Sequence, residues 1–247
     1  MPSLTTPEHS LNIEPANLLA FGAHPDDLEF GVGGVLLDAA ANGARIHLAL
    51  ASRGESGTQG TPMEREAEAR AAAQLLRADI TWIDLGGDAH MSPSPERAIL
   101  LAEIIRHTKP SIVLAPTVVA DQHPDHVVVG GLVRDALRLA RYGKVSELIE
   151  MEPWHTPRFY QYAIAPSAEP HASTRLVVDI SAQEHTWVEL MQCHASQLKN
   201  RRYVDLQVAR ARMWGLQAGV ELAQVLYTEE PLVFRSAHEL PGTARLF

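Results

Sequence analysis

Apolar residues along this chain follow two alternating rhythms. Residues 17–23 form a short apolar run without polar alternation, the pattern of a strand covered on both faces. Leu28, Val32, Val35, Leu36 and Ala39 then recur at helical offsets, and Asn42-Gly43 predicts the C-cap of that helix. A strand over 45–52 and a Gly/Ser/Thr-rich loop over 53–60 come next. Thr61-Pro62-Met63-Glu64 is a capping box with proline at the first helical position, predicting a helix to about residue 77. A strand over 80–85, a helix opened by Ser94-Pro95 and running to about 107, a strand over 111–115 and a helix over 127–142 follow. Strands and helices alternating at this spacing predict a parallel sheet with right-handed crossovers.

Beyond Tyr142 the rhythm loosens. Strands are expected over 158–164 and 175–180. Ser181-Ala182-Gln183-Glu184 is a second capping box, expected to open a helix toward Leu198, and one long helix is expected over about 203–226. No internal repeat or linker divides the chain. The fold class predicted is α/β: a Rossmann-like, mostly parallel sheet with helices on both faces, as a single domain over 17–247 behind a flexible leader at 1–16.

Composition narrows the function. Hydrophobic residues make up 46% and charged residues 21%, which excludes global disorder. The formal charge of -9 makes nucleic acid and anionic membranes poor partners. No apolar stretch approaches the ~18 residues of a membrane span. The polar start, Met1 to Asn12, lacks the marks of a signal peptide. A single cysteine, Cys193, excludes an intramolecular disulfide and a multi-cysteine zinc site, and fits a cytoplasmic location.

The candidate chemistry sits in two polar elbows. His24-Pro25-Asp26 directly follows the first strand, and His123-Pro124-Asp125 follows the fourth after a short loop. Open α/β sheets bind ligands outside the carboxyl ends of their strands. Zinc takes imidazole nitrogen and carboxylate oxygen, three protein ligands leaving a place for water. His24 and Asp27 are three apart across a turn; His123 and His126 are three apart on the first turn of a helix. The elbows thus offer His, Asp and His to one ion, with Asp26 and a spare histidine left over. A carboxylate beside the metal suits a general base, an imidazolium could stabilise an oxyanion, and Asp125 could orient one of the histidines. Taken singly, either elbow is also good turn and N-cap chemistry.

Ala23-His24-Pro25-Asp26-Asp27-Leu28-Glu29 together with His123-Pro124-Asp125-His126 resembles the LmbE-like (PIG-L) zinc-dependent N-acetylglucosamine deacetylases, over about residues 17–235. Ser52-Arg53-Gly54-Glu55, His194-Ala195-Ser196-Gln197 and the helix from Ala211 to Ala223 resemble the bacillithiol-biosynthesis branch, whose substrate is N-acetylglucosaminyl malate. The resemblance implies one Zn2+ per chain (or another divalent ion such as Fe2+) on His24, Asp27 and His126. It implies Asp26 as general base, His123 as catalytic histidine with Asp125 as its companion, and Arg53 as a substrate-binding residue. It also implies a small amino-sugar substrate and a homo-oligomer. A deacetylase of another amino sugar, or a sugar-binding protein without activity, remain the alternatives. The chain departs from that branch at Gln122, where relatives often carry arginine.

Four other features read as structure. Glu29 is expected to bond backbone donors at its helix start. Gly31, Gly33 and Gly34 lack the order of a dinucleotide fingerprint and are expected at close packing. His194 is expected to be packed or capping. Trp154, His155 and Tyr160 offer a sugar-pocket lining as one alternative, with core packing the favoured expectation.

Overall fold

In a computed structural model, which describes residues 16–243, the chain folds as one seven-stranded sheet with helices on both faces. The elements are β1 (Asn17–Gly22), α1 (Asp27–Ala41), β2 (Arg45–Leu50), α2 (Pro62–Leu76), β3 (Asp79–Trp82), α3 (Pro95–Thr108), β4 (Ile112–Pro116), α4 (Pro124–Arg141), β5 (Phe159–Tyr162), β6 (Thr174–Asp179), α5 (Glu184–Gln192), α6 (Ala195–Leu198), α7 (Tyr203–Ala218) and β7 (Ala223–Thr228). The expected leader lies outside the described residues, except for Ala16.

The sheet order is β3-β2-β1-β4-β5-β7-β6. The five strands from β3 to β5 are parallel, and β7 runs antiparallel to β5 and β6. The central strand β1 shows why the run at 17–22 lacks polar alternation. Leu18 and Ala20 face one core with α1, α2 and α5, while Leu19 and Phe21 face a second core with α3 and α4. Chain order reverses at β1 and β4, so a crevice opens between their carboxyl ends. Both elbows leave the sheet there.

The caps form as the sequence predicts. Thr61 and Glu64 make the reciprocal capping box of α2, and Ser94 accepts from the Arg97 N–H at the start of α3. The Gly-rich start of α1 is a packing surface: a Cβ on Gly31 would stand 2.6 Å from the Tyr162 ring, and one on Gly34 2.5 Å from Ile180.

Two expectations fail. The long helix over 203–226 ends at Gly219, which takes the left-handed C-cap conformation (φ 79°), and 223–228 becomes β7 with all six residues buried. A strand covered on both faces has the same continuous apolar run as a buried helix, so periodicity does not separate them. The box at Ser181–Glu184 does not close either. The Ser181 hydroxyl bonds Asp179, residues Ser181–Gln183 form a 3-10 turn, and the expected helix breaks at Cys193 and His194 into α5 and α6.

Candidate metal and catalytic centre

The first elbow turns the chain from β1 into α1 within four residues. Asp26 adopts φ 102°, a left-handed conformation unusual for a residue with a side chain. Asp27 begins the helix and folds its carboxylate back, where Oδ2 accepts the Ala23 and His24 N–H groups at 2.9 and 2.8 Å. Its other oxygen, Oδ1, stands 3.1 Å from His126 Nε2. That imidazole nitrogen is buried and has no hydrogen-bond partner. A buried imidazole nitrogen and a carboxylate oxygen that face each other without bonding fit a shared cation.

His24 completes the pocket. Its Nδ1 lies 3.6 Å from Asp27 Oδ2, while its Nε2 lies 3.1 Å from Asp88 and 3.2 Å from Asp125. Two carboxylates on Nε2 fix the ring so that Nδ1 is the nitrogen turned toward Asp27. Ligand atoms of His24, His123 and His126 lie within 4.8 Å of one another, and so do those of His24, Asp88, His123 and Asp125. Burial opposes a charge on His24, yet the carboxylates of Asp27, Asp125 and Asp88 outweigh it and push its pKa up to about 12. Burial likewise opposes charge on Asp27, but His126 and His24 hold its pKa well below the usual carboxylate range. A donor set with so much negative charge around imidazoles suits a divalent cation.

Asp26 stands beside this set. Burial, with the Asp27 charge next to it, pushes its pKa up to about 7, against the pull of His194, Arg65 and His24. His123, the N-cap of α4, accepts the Asp125 N–H on Nδ1, so a neutral ring carries its proton on Nε2. Burial and the neighbouring His24 and His126 hold its pKa down. An uncharged N–H donor, not the expected imidazolium, is therefore what His123 presents. Asp125 also differs from expectation: its carboxylate orients His24, and only its backbone touches His123.

The centre opens into a cleft of about 790 Å3 whose walls include Ser56 to Gln59, Arg65, Asp88, Gln122, Gln197 and Tyr203. Arg53 does not line it. Its guanidinium lies over Trp82 and bonds Glu66 at 2.6 Å on an exposed face. Arg65 does line the cleft; it donates to the carbonyls of Gly54 and Pro25 and stands 3.5 Å from Asp26. Sequence reading missed Arg65, because an arginine inside a charged helix carries no mark of burial. It missed Asp88 too, although Gly86-Gly87 before it signals a tight loop at the sheet edge.

Glu29 does not cap its helix; it is buried 3.2 Å from His194, which is fully buried. Gln122 bonds Thr117 through its amide and brings no charge to the cleft. Trp154 and Tyr160 pack against the core, His155 is exposed contrary to expectation, and none of the three lines the cleft.

The profile of the PIG-L family, GlcNAc-PI de-N-acetylase, matches residues 19–137, from β1 through both elbows. The protein TT1542 of Thermus thermophilus is 32% identical; the alignment covers 89% of this chain and 97% of that one, with a TM-score of 0.75. The chain belongs to the PIG-L family. Among other similar proteins, the uncharacterized deacetylase YaiS of Escherichia coli is 35% identical over 124 residues, covering 45% of this chain and 63% of YaiS. The 4-oxalmesaconate hydratase of Pseudomonas putida is 27% identical over 146 residues, covering 54% of this chain and 56% of the hydratase. This PIG-L chain thus matches about six-tenths of the length of these curated relatives. Among the described residues, no helix is long and apolar enough to cross a membrane.

Proposed function

We propose that this chain is a zinc-dependent hydrolase that removes acetate from an N-acetylglucosamine derivative, namely N-acetylglucosaminyl malate in bacillithiol biosynthesis. One observation carries the reaction class: two adjacent carboxylates have different tasks. Asp27 is turned inward between His24 and His126, while Asp26 is held by a left-handed backbone next to them with a pKa near neutrality. A binding protein has no need of a free base beside a cation site. The family description and the name of YaiS support N-deacetylation.

His24, Asp27 and His126 would hold the ion. When bound, zinc supplies Lewis acidity to an acyl carbonyl and to water. Asp26 accepts the proton of the attacking water and returns it to the departing amine. The Nε2–H of His123 donates to the oxyanion of the tetrahedral intermediate. Asp88 and Asp125 keep the His24 ring turned so that Nδ1 faces the site. Arg65 braces the elbow and holds the Asp26 carboxylate in place.

The test is amine release by the zinc-loaded protein from a panel containing N-acetylglucosaminyl malate, N,N'-diacetylchitobiose and methyl N-acetylglucosaminide. Hydration of 4-oxalmesaconate is followed in parallel. Acetate release with preference for the malate glycoside is expected. Hydration without amine release would sink the hydrolase reading, and equal turnover of all three amides would sink the malate assignment.

A further inference from the structure

The cleft is larger than one sugar. An N-acetylated hexose needs on the order of 300 Å3 at condensed-phase density, against about 790 Å3 here. The cleft wall includes Gln197 of α6, Asn200 and Arg201 of the segment between α6 and α7, and Tyr203 and Leu206 on the first turns of α7.

That wall carries an arginine without a carboxylate. Among the described residues no acidic side chain pairs with Arg201, whereas Arg202 is matched to Asp205 at 2.6 Å and Arg65 faces Asp26. The Arg201 guanidinium lies 5.6 Å from the Tyr203 ring centroid and donates one N–H to the Tyr203 hydroxyl at 3.0 Å. Tyr203 in turn packs on Phe30, with ring centroids 5.5 Å apart. Phe30 lies on the first turn of α1, three residues after Asp27, and also lines the cleft. Stacking and one hydrogen bond orient the guanidinium fork, and among the described residues no other side chain or carbonyl takes its remaining donors. The cleft is therefore bipolar, with carboxylates and imidazoles at its metal end and one unmatched cation on its wall.

We infer that Arg201, oriented by Tyr203, is the anion-binding group of an aglycone subsite, so that the substrate carries a carboxylate on the group attached to the amino sugar. The inference rests on the hydrolase reading and assigns the specificity that Arg53 and Gln122 do not supply. A planar guanidinium accepts a carboxylate side-on with two parallel hydrogen bonds, and a neutral second sugar ring offers no such partner.

The experiment compares the zinc-loaded protein with its Arg201→Gln and Arg201→Lys variants. Arg201 is exposed, so both variants are expected to fold. The ratio of kcat/KM for N-acetylglucosaminyl malate over methyl N-acetylglucosaminide should fall about tenfold in Arg201→Gln, through KM and not kcat, with Lys intermediate. The preference of the unaltered protein should weaken with added salt, and that of Arg201→Gln should not. Calorimetric binding of glucosaminyl malate, which needs no turnover, separates this inference from the one beneath it. Tighter binding to the unaltered protein than to Arg201→Gln supports the subsite even if no amide is cleaved. Equal binding, or an unchanged preference ratio, overturns it.

Discussion

The guanidinium of Arg65 stands 3.5 Å from the Asp26 carboxylate and donates 2.9 Å to the carbonyl of Pro25, the residue just before it. A second donor reaches Gly54 in the loop after β2. One buried side chain on α2 therefore joins the elbow, the loop and the candidate base. Arg65→Met keeps much of the volume and removes the donors, leaving two carbonyls short of partners and Asp26 without its cation. Activity should fall by about 100-fold or more and stability by roughly 2–4 kcal/mol. Steady-state kinetics and a denaturant melt check both. Activity within threefold of the starting protein would remove Arg65 from the site.

Arg53→Ala should behave in the opposite way. Its contacts are an exposed ion pair with Glu66 and a stack on Trp82. Exposed pairs contribute about 0–1 kcal/mol. KM and kcat should stay within about twofold on every amino-sugar substrate. A selective loss on the malate glycoside would return Arg53 to the substrate site.

Asp26→Asn and Asp27→Asn should separate base from ligand. The first should keep its metal and lose about 10²–10⁴-fold in kcat, the usual worth of general-base catalysis. The second should lose metal, because Asp27 is the carboxylate between His24 and His126. Metal content by mass spectrometry, read beside turnover, distinguishes them. Chelation should lower the melting temperature of the parent protein and have little effect on Asp27→Asn. Equal metal retention in both variants would contradict the assignment.

The pH profile should show an acid limb from Asp26. The base works ionised, so kcat/KM rises as pH climbs through its pKa. Burial and Asp27 place that pKa at about 7 without an ion. A bound cation stabilises the carboxylate, so in the loaded enzyme the limb should fall between an ordinary aspartate value of about 3.9 and 7. In Asp26→Asn the residual activity should lack this limb. Its persistence would place the base elsewhere.

Arg106 offers a structural control. It is buried, and its guanidinium donates to the carbonyls of Leu139, Ala140, Tyr142, Leu148 and Met151, closing the end of α4 and the turn beyond it. Arg106→Met strips partners from several buried carbonyls and should cost on the order of 3–5 kcal/mol. At about 2–4 °C per kcal/mol for a chain of this size, the melting temperature drops by roughly 10 °C. Turnover per folded molecule should hold. A large kcat loss in the folded variant would tie this corner to the site.

Much of this molecule is decided by local sequence. Pro62 after Thr61, with Glu64 two residues later, starts α2 wherever the segment lies, because the cap satisfies its own backbone donors. The apolar run at 17–22 requires cover on both faces, and two His-Pro-Asp elbows at strand ends place imidazoles and carboxylates at one sheet edge. Other features exist only once distant segments meet. The run at 223–228 becomes a strand because a slot lies open between β5 and β6, and nothing in its own period says so. Arg65 faces the elbow and Arg53 faces Trp82 because packing against α2 and the loop before it sets their direction. Glu29 leaves the backbone for His194 because the chain returns 165 residues later to bury both. Hydrophobic period and caps act within a few residues, so sequence alone determines them. The partner of a buried charge is chosen by desolvation, which acts only when the tertiary structure closes around it.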